Sequence, residues 1–147
     1  MIAISLSRPT SAWVALVAAA VLVTGCADQN RPMGSRERVF AADLAGGAKS
    51  CDAAKPDLKD GQTSDVAMKV GNDGGWCGIL LQRSGRAFDS SLLTVRPAHG
   101  KVAVIRVGDA TRIGYTPNLG FAGTDSFAVK LIPGDATVKV AVTVTPK

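Results

Sequence analysis

The sequence has few of the residues on which enzyme active sites and metal sites depend. It contains a single histidine, His99, and three cysteines among 147 residues. No serine lies in a G-x-S-x-G motif, which excludes the nucleophile elbow of the α/β-hydrolases. No C-x-x-C or H-x-x-x-H spacing is present, so zinc has no recognisable set of ligands. We therefore expect a protein that is not an enzyme and that binds no metal or cofactor.

Acidic and amide side chains lie in turn-forming segments and not in a metal-binding loop. No D-x-[DN]-x-[DN]-G motif is present, which excludes an EF-hand calcium site. Asparagine and aspartate in turns usually accept hydrogen bonds from neighbouring backbone N–H groups. This role accounts, without a metal, for the four candidate calcium ligands Asn72, Asp73, Asp109 and Asp125.

Charge and aromatic content narrow the classes of partner. The formal net charge is +5 at pH 7, and the basic residues form no stripe with interleaved aromatics. We therefore expect no nucleic-acid partner. Only 5% of the residues are aromatic, and the chain is instead rich in Val, Thr, Gly and Ala, which favours a β-rich core over a helical bundle.

The amino-terminal segment has the pattern of an export signal. Its apolar run, Trp13 to Val23, falls short of the roughly 20 residues that span a bilayer. The sequence Val23-Thr24-Gly25-Cys26 follows and resembles the lipobox of bacterial lipoproteins. An ordinary signal peptide with a fortuitous cysteine, or an uncleaved anchor, is the alternative.

The lipobox resemblance implies that residues 1–25 are removed and that Cys26 becomes the lipid-modified first residue, with acyl chains such as palmitate. Two or more acyl chains would anchor the protein stably in a membrane of the bacterial cell envelope. Ala27 follows the cysteine where enteric lipoproteins kept in the inner membrane have Asp, so the resemblance favours the outer membrane. Residues 26–63 are then a lipidated tether and lead-in, and residues 64–147 are the folded domain.

Alternation of apolar and polar residues predicts about seven short β-strands in that domain. The last segment, Thr137 to Val144, has the cleanest period of two. The strands at 66–70 and 77–82 are expected to form a hairpin, and the segment 101–107 is expected to be central because it is apolar on both faces. The number of strands and the spacing of the turns predict an all-β, immunoglobulin-like sandwich.

A corner between two strands is predicted from Tyr115 to Phe127. Pro117 supplies no N–H and favours the end of the first strand, and Gly120 and Gly123 permit the turn. Phe121 lies in the middle of the turn, where it can close the end of a core.

The carboxy-terminal third, Pro97 to Pro146, resembles the bacterial immunoglobulin-like or cadherin-like repeat domain of envelope and surface proteins. The resemblance rests on Pro97-Ala98-His99-Gly100-Lys101-Val102, Tyr115-Thr116-Pro117, Gly120-Phe121, Gly123-Thr124-Asp125-Ser126-Phe127 and the final valine strand. It implies a sandwich fold in which these positions build turns and core. Domains of this family serve as spacers or adhesive modules.

Two cysteines remain if Cys26 is acylated. In an exported protein this even remainder predicts a disulfide between Cys51 and Cys77, with two buried reduced thiols as the alternative. Trp76 allows two interpretations: it packs on the disulfide in the core, as in immunoglobulin sandwiches, or it is exposed and contacts a carbohydrate or protein. Trp76 and Phe121 are therefore the possible ligand contacts.

These features together predict a lipid-anchored envelope lipoprotein with a non-catalytic immunoglobulin-like domain. The predicted partners are the membrane, through the lipid, and an envelope protein or glycan bound at a loop end or sheet edge. The alternative is an accessory subunit that stabilises or inhibits an envelope enzyme or assembly.

Overall fold

The computed structural model describes residues 40–147, and these form two packed β-sheets. The predicted signal peptide, the lipobox with Cys26 and most of the tether lie outside the described residues. A short 3-10 helix spans Ala41–Leu44. The strands are β1 (Cys51–Ala53), β2 (Thr63–Gly71), β3 (Cys77–Leu81), β4 (Ser90–Val95), β5 (Gly100–Val107), β6 (Ala110–Pro117), β7 (Gly123–Ile132) and β8 (Ala136–Thr145).

One sheet has the strand order β1-β2-β8-β7-β4, and the other has the order β3-β6-β5. Neighbouring strands are antiparallel except β2 and β8, which run parallel. The orders β3-β6-β5 and β8-β7-β4 are those of the B-E-D and G-F-C strands of an immunoglobulin sandwich. The expected all-β sandwich is therefore confirmed, with eight strands in the described part of the chain.

The core lies between the inner faces of the two sheets. The long strand β8 buries Val138, Val140 and Val142 in this core, as the period of two in its sequence predicts. From β7, Phe127 is fully buried, and its ring stacks on that of Tyr115 from β6, with 5.8 Å between the ring centroids. Burying each such side chain contributes about 1.5–3 kcal/mol, so this interface holds the sheets together.

Three local predictions are confirmed. The strands β5 and β6 are joined by the two-residue turn Gly108-Asp109, with Val107 paired to Ala110. A hairpin turn at 133–135 joins β7 and β8. At the predicted corner, β6 ends at Pro117, and Phe121 is half-buried against the end of the core.

The predicted hairpin between the second and third strands is wrong. Strand β2 pairs with β1 and β8, whereas β3 pairs with β6 in the other sheet. The chain crosses between the sheets through residues 72–76. Strands that face each other across a core have the same period of two as strands that pair, because alternation reports a buried face and not the identity of the neighbour.

The predicted central position of residues 101–107 is also wrong, because β5 lies at the edge of the three-stranded sheet. Val102 and Val104 are half-buried against the core, while Ala103 and Ile105 are exposed on the outer face. The apolar residues of β5 therefore lie in two different environments. One face of the strand contacts the core, and the other contacts solvent.

The lead-in contains structure that the sequence pattern does not predict. Strand β1 pairs with β2, with Cys51 opposite Val70 and Ala53 opposite Met68. A β-bridge between Gly47 and Trp76 ties the segment before β1 to the end of the 72–76 loop.

No helix among residues 40–147 is long and apolar enough to cross a membrane.

Candidate functional site

The disulfide joins the two sheets at one margin of the sandwich. Cys51 in β1 is bonded to Cys77 in β3, with 5.2 Å between their Cα atoms. Cys77 is fully buried, while Cys51 is exposed. The prediction of this bond is confirmed, and the bond fastens the lead-in to the three-stranded sheet.

Trp76 is half-buried on the outer face of the three-stranded sheet. Its ring lies next to Gly78 and Gly114, and a Cβ atom at Gly78 would come within 3.1 Å of the ring. Its Nε1–H donates a hydrogen bond of 2.9 Å to the carbonyl oxygen of Ala45. Trp76 therefore lies neither in the core nor exposed on a loop, because the lead-in holds its ring against the outer face of the sheet.

Arg112 completes the surroundings of Trp76. Its guanidinium carbon lies 3.8 Å from the centroid of the Trp76 ring, which is the geometry of a cation–π interaction. The same guanidinium donates a hydrogen bond to the carbonyl oxygen of Asp43 in the 3-10 helix. No sequence pattern points to this residue, because an outward arginine in a strand is ordinarily solvated.

Phe121, the other predicted ligand contact, lies at the loop end of the sandwich. Its ring stacks on His99, with 4.2 Å between centroids and 9° between planes. Asn72 holds the same loop, since its Nδ2 group donates to the carbonyl oxygens of Asn118 and Phe121. The structure thus places Trp76 and Phe121 on different surfaces and occupies a ring face of each.

Asp125 organises the loop end through four hydrogen bonds. Its carboxylate accepts the N–H groups of Ala98, His99 and Ser126 at 2.8–2.9 Å, and the hydroxyl of Tyr115 at 2.9 Å. Burial alone would raise the pKa of Asp125, but these donors outweigh it and hold the pKa below its ordinary value. Burial and the hydrogen bond to Asp125 raise the pKa of Tyr115, which stays neutral.

Asp73 has a similar role in the loop between β2 and β3. Its carboxylate accepts the N–H groups of Lys49 at 2.9 Å and Gly75 at 3.0 Å, and these bonds lower its pKa. The backbone-bonding role predicted for aspartates in turns is therefore confirmed for Asp73 and Asp125. Among the described residues, no three His, Cys, Asp or Glu side chains come together as a metal site.

The two sheets end on one side of the sandwich at β1 and β3, which the disulfide joins, and on the other side at β4 and β5; we call the second side the β4–β5 side. Within residues 40–147, β4 pairs only with β7 and β5 only with β6, so each strand has a free edge. Leu92, Val95 and Ile105 lie on these two strands and are 56%, 50% and 41% exposed. Two clefts, of about 270 and 340 Å³, open between the strands.

Basic side chains border this β4–β5 side. Arg96 follows β4, and Lys101 and Arg106 lie near the two ends of β5; all three are exposed. Asp89, directly before β4, is the acidic residue among those that line the two clefts. The side therefore combines aliphatic side chains, unpaired backbone and a positive charge.

Comparison with known proteins adds no relative to this description. No protein-family model matches the chain, and no curated protein is significantly similar to it. The functional site is therefore inferred from the physical properties of three surfaces: the one around Trp76, the loop end and the β4–β5 side.

Proposed function

We propose that the protein is a lipid-anchored lipoprotein of the bacterial envelope whose β-sandwich is a non-catalytic binding module for another protein. The observation that carries the proposal is the β4–β5 side, where both strands have a free edge and each exposes an aliphatic side chain on the outer face of its sheet, Leu92 on β4 and Ile105 on β5. Single exposed aliphatic residues are normal on a protein surface, but aliphatic residues beside unpaired strand backbone are typical of sites that bind an added strand.

A protein partner fits the described residues better than a glycan. Recognition of a sugar usually depends on an aromatic face that is open to stack on it. Trp76 is covered by Arg112 and bonded to Ala45, and Phe121 is stacked on His99. One face of each ring expected to contact a ligand is therefore already occupied within the protein.

The membrane anchor in this proposal is the lipidated Cys26. Its support is the lipobox resemblance at Val23-Thr24-Gly25-Cys26 and the disulfide of Cys51 with Cys77, which suits an exported protein. Intact-mass measurement of the protein purified from membranes is expected to give an amino terminus at Cys26 with acyl mass. An unmodified Cys26, or a retained segment 1–25, would contradict the anchor.

The binding role is tested in cells with the full chain and a photo-crosslinking amino acid placed at one position at a time. Three exposed positions sample three surfaces: Ala103 on β5, Leu119 at the loop end and Ala141 on the outer face of β8. We expect Ala103 to give one dominant envelope-protein adduct that is lost when Cys26→Ser removes the anchor. No protein adduct from any of the three positions would overturn the proposed function.

A further inference from the structure

Strand β5 has a regular edge that can pair with another strand. It runs for eight residues, Gly100–Val107, with an unbroken register to β6. The other terminal strand on this side, β4, has an irregularity between Leu93 and Val95 where its register shifts. A bulge twists an edge away from further pairing, so of the two strands β5 is the better template for an added strand.

The turn at Gly108-Asp109 determines which backbone groups of β5 point to the free side. Gly108 has φ of +57° and is the first residue of the two-residue turn, which is typical of a type II′ hairpin. In such a hairpin the flanking pair, Val107 and Ala110, is hydrogen-bonded, and the pairs alternate from there. The alternation makes Gly100–Pro117 a non-bonded pair, which suits a proline without an N–H.

The residues of β5 whose N–H and C=O groups point away from β6 are then Val102, Val104 and Arg106. Within the described part of the chain, these groups form no hydrogen bond outside the β5–β6 ladder. Three donors and three acceptors are thus available along the edge. An added strand would pair with them as β6 pairs with the other side.

The side chains along β5 determine which residues an added strand needs in order to fit this edge. Lys101 and Arg106 lie near its ends, with Val102 and Val104 between them on the inner side and Ala103 and Ile105 on the outer side. Opposite charges placed directly across a strand pair stabilise it, and like charges destabilise it. Acidic residues at both ends, with aliphatic residues beside Val102 and Val104, therefore complement this edge.

The same charges disfavour a second copy of this chain as the occupant. Residues directly opposite each other in an antiparallel pair have side chains on the same face, so a twofold axis through Val104 would place Arg106 of one copy opposite Val102 of the other. Each Arg106 would then have no acidic residue opposite it, and the basic side chains of both copies would lie along the same junction. Basic edge residues are a common protection against self-pairing, and they leave the edge open to an acidic partner.

We propose that the free edge of β5 binds an extended acidic segment of a partner protein as an added antiparallel strand. This inference rests on the proposed function and names the class of partner and the strand that binds it. Association is steered by the charges of Lys101 and Arg106, while the backbone of Val102, Val104 and Arg106 supplies the hydrogen bonds.

The test uses the full chain in detergent micelles and the synthetic peptide Ac-Glu-Thr-Val-Thr-Val-Glu-NH2. In the antiparallel register its two glutamates lie opposite Arg106 and Lys101, and its valines lie beside Val104 and Val102. Amide hydrogen exchange by NMR is expected to slow at Val102, Val104 and Arg106 when the peptide is added. The amides of Ala103 and Ile105 already bond to β6 and are expected to change little.

Charge is tested separately with matched variants. Lys101→Gln with Arg106→Gln is expected to weaken peptide affinity about tenfold, because two opposite-charge pairs are lost. The control, Lys69→Gln with Lys139→Gln, removes the same charge from exposed positions on the other sheet and is expected to leave affinity unchanged. A control peptide carries lysine in place of both glutamates. Its affinity for the unmodified chain is expected to be no higher than the affinity of the acidic peptide for the Gln variant.

Each contrary result has a distinct meaning. No alternating protection on β5, equal affinity for the acidic and lysine peptides, or equal loss in the control variant would overturn this inference. If crosslinks from Leu119 or Ala141 still captured an envelope protein, the proposed function would stand with a different binding surface. Peptide binding as expected, with no adduct in cells from any position, would support the edge chemistry and overturn the proposed function.

Discussion

The guanidinium of Arg112 covers the ring of Trp76 at 3.8 Å and fastens the lead-in to the outer face of the three-stranded sheet. Three segments meet there: the 3-10 helix through Asp43, the loop before β3 through Trp76, and β6 through Arg112. The hydrogen bond from Arg112 to Asp43 joins residues 69 positions apart in the sequence, so it stabilises the fold against separation of its amino-terminal part.

Replacement of Arg112 is expected to loosen this amino-terminal part. Arg112→Ala removes the cation–π contact and the hydrogen bond to Asp43, and we expect the free energy of unfolding to fall by about 1–2 kcal/mol. Arg96→Ala, at an exposed position after β4, is the control and is expected to change the free energy by less than about 0.5 kcal/mol. Urea titrations of both variants measure the difference, and an equal effect would contradict the role of Arg112.

The disulfide is expected to make stability depend on redox conditions. It closes a separation of 26 residues, for which restriction of the unfolded chain contributes about 3 kcal/mol. Cys51→Ser is therefore expected to lower the melting temperature under non-reducing conditions. A reductant is expected to lower that of the unmodified protein and to leave that of Cys51→Ser unchanged. An unchanged melting temperature in Cys51→Ser without reductant would contradict a stabilising bond.

Much of the sandwich could be predicted because its longest strands have one buried and one exposed face. The valines at 138, 140, 142 and 144 and the residues Phe127, Val129 and Leu131 follow this rule, and all are buried. The order of strands in the sheets could not be predicted, since β2 and β3 have the same period although they lie in different sheets. Periodicity identifies a buried face and leaves pairing to long-range contacts.

The candidate sites were less accessible to sequence reasoning. The disulfide followed from the number of cysteines, but the position of Trp76 depends on Arg112, Gly78 and Gly114, which are brought together only by the pairing of β3 with β6. The free edge of β5 was hidden for a related reason. Its apolar outer face resembles that of a central strand until the strand order is known.

Acid is expected to weaken the loop end of the sandwich through Asp125. Its pKa in the folded protein lies below the ordinary value of 3.8, so its stabilising effect is full above that value and is lost as the pH falls through the folded pKa. Asp125→Asn is expected to lower stability at pH 7 by about 1–3 kcal/mol, because hydrogen bonds to a charged acceptor are lost. The loss of stability between pH 5 and pH 2 is expected to be smaller than in the unmodified protein.

Urea titrations across this pH range measure both effects of Asp125. Tyr115→Phe is the matched comparison, because it removes one of the four donors and keeps the carboxylate. We expect it to reduce the slope of stability against pH by less than Asp125→Asn does. Curves for Asp125→Asn and the unmodified protein that ran parallel below pH 5 would contradict the role assigned to Asp125.

Two glycines in adjacent strands, Gly100 and Gly114, provide a test of how tightly the loop end is packed. A Cβ atom at Gly100, the first residue of β5, would collide with the ring of Tyr115. A Cβ atom at Gly114, in the adjacent strand β6, would meet its nearest neighbours, Ala103 and Trp76, at 3.8 and 3.9 Å, which is ordinary contact. The two positions therefore differ in available space although both lie in strands of the same sheet.

Gly100→Ala is expected to destabilise the protein by about 1–3 kcal/mol, because the buried Tyr115 ring must move and its hydrogen bond to Asp125 is disturbed. Gly114→Ala is expected to stay within about 0.5 kcal/mol of the unmodified protein, because its methyl group fits and alanine restricts the unfolded chain. Thermal and urea unfolding of the two variants measure the contrast. Equal destabilisation would mean that the closeness of Tyr115 to Gly100 does not limit this end of the sandwich.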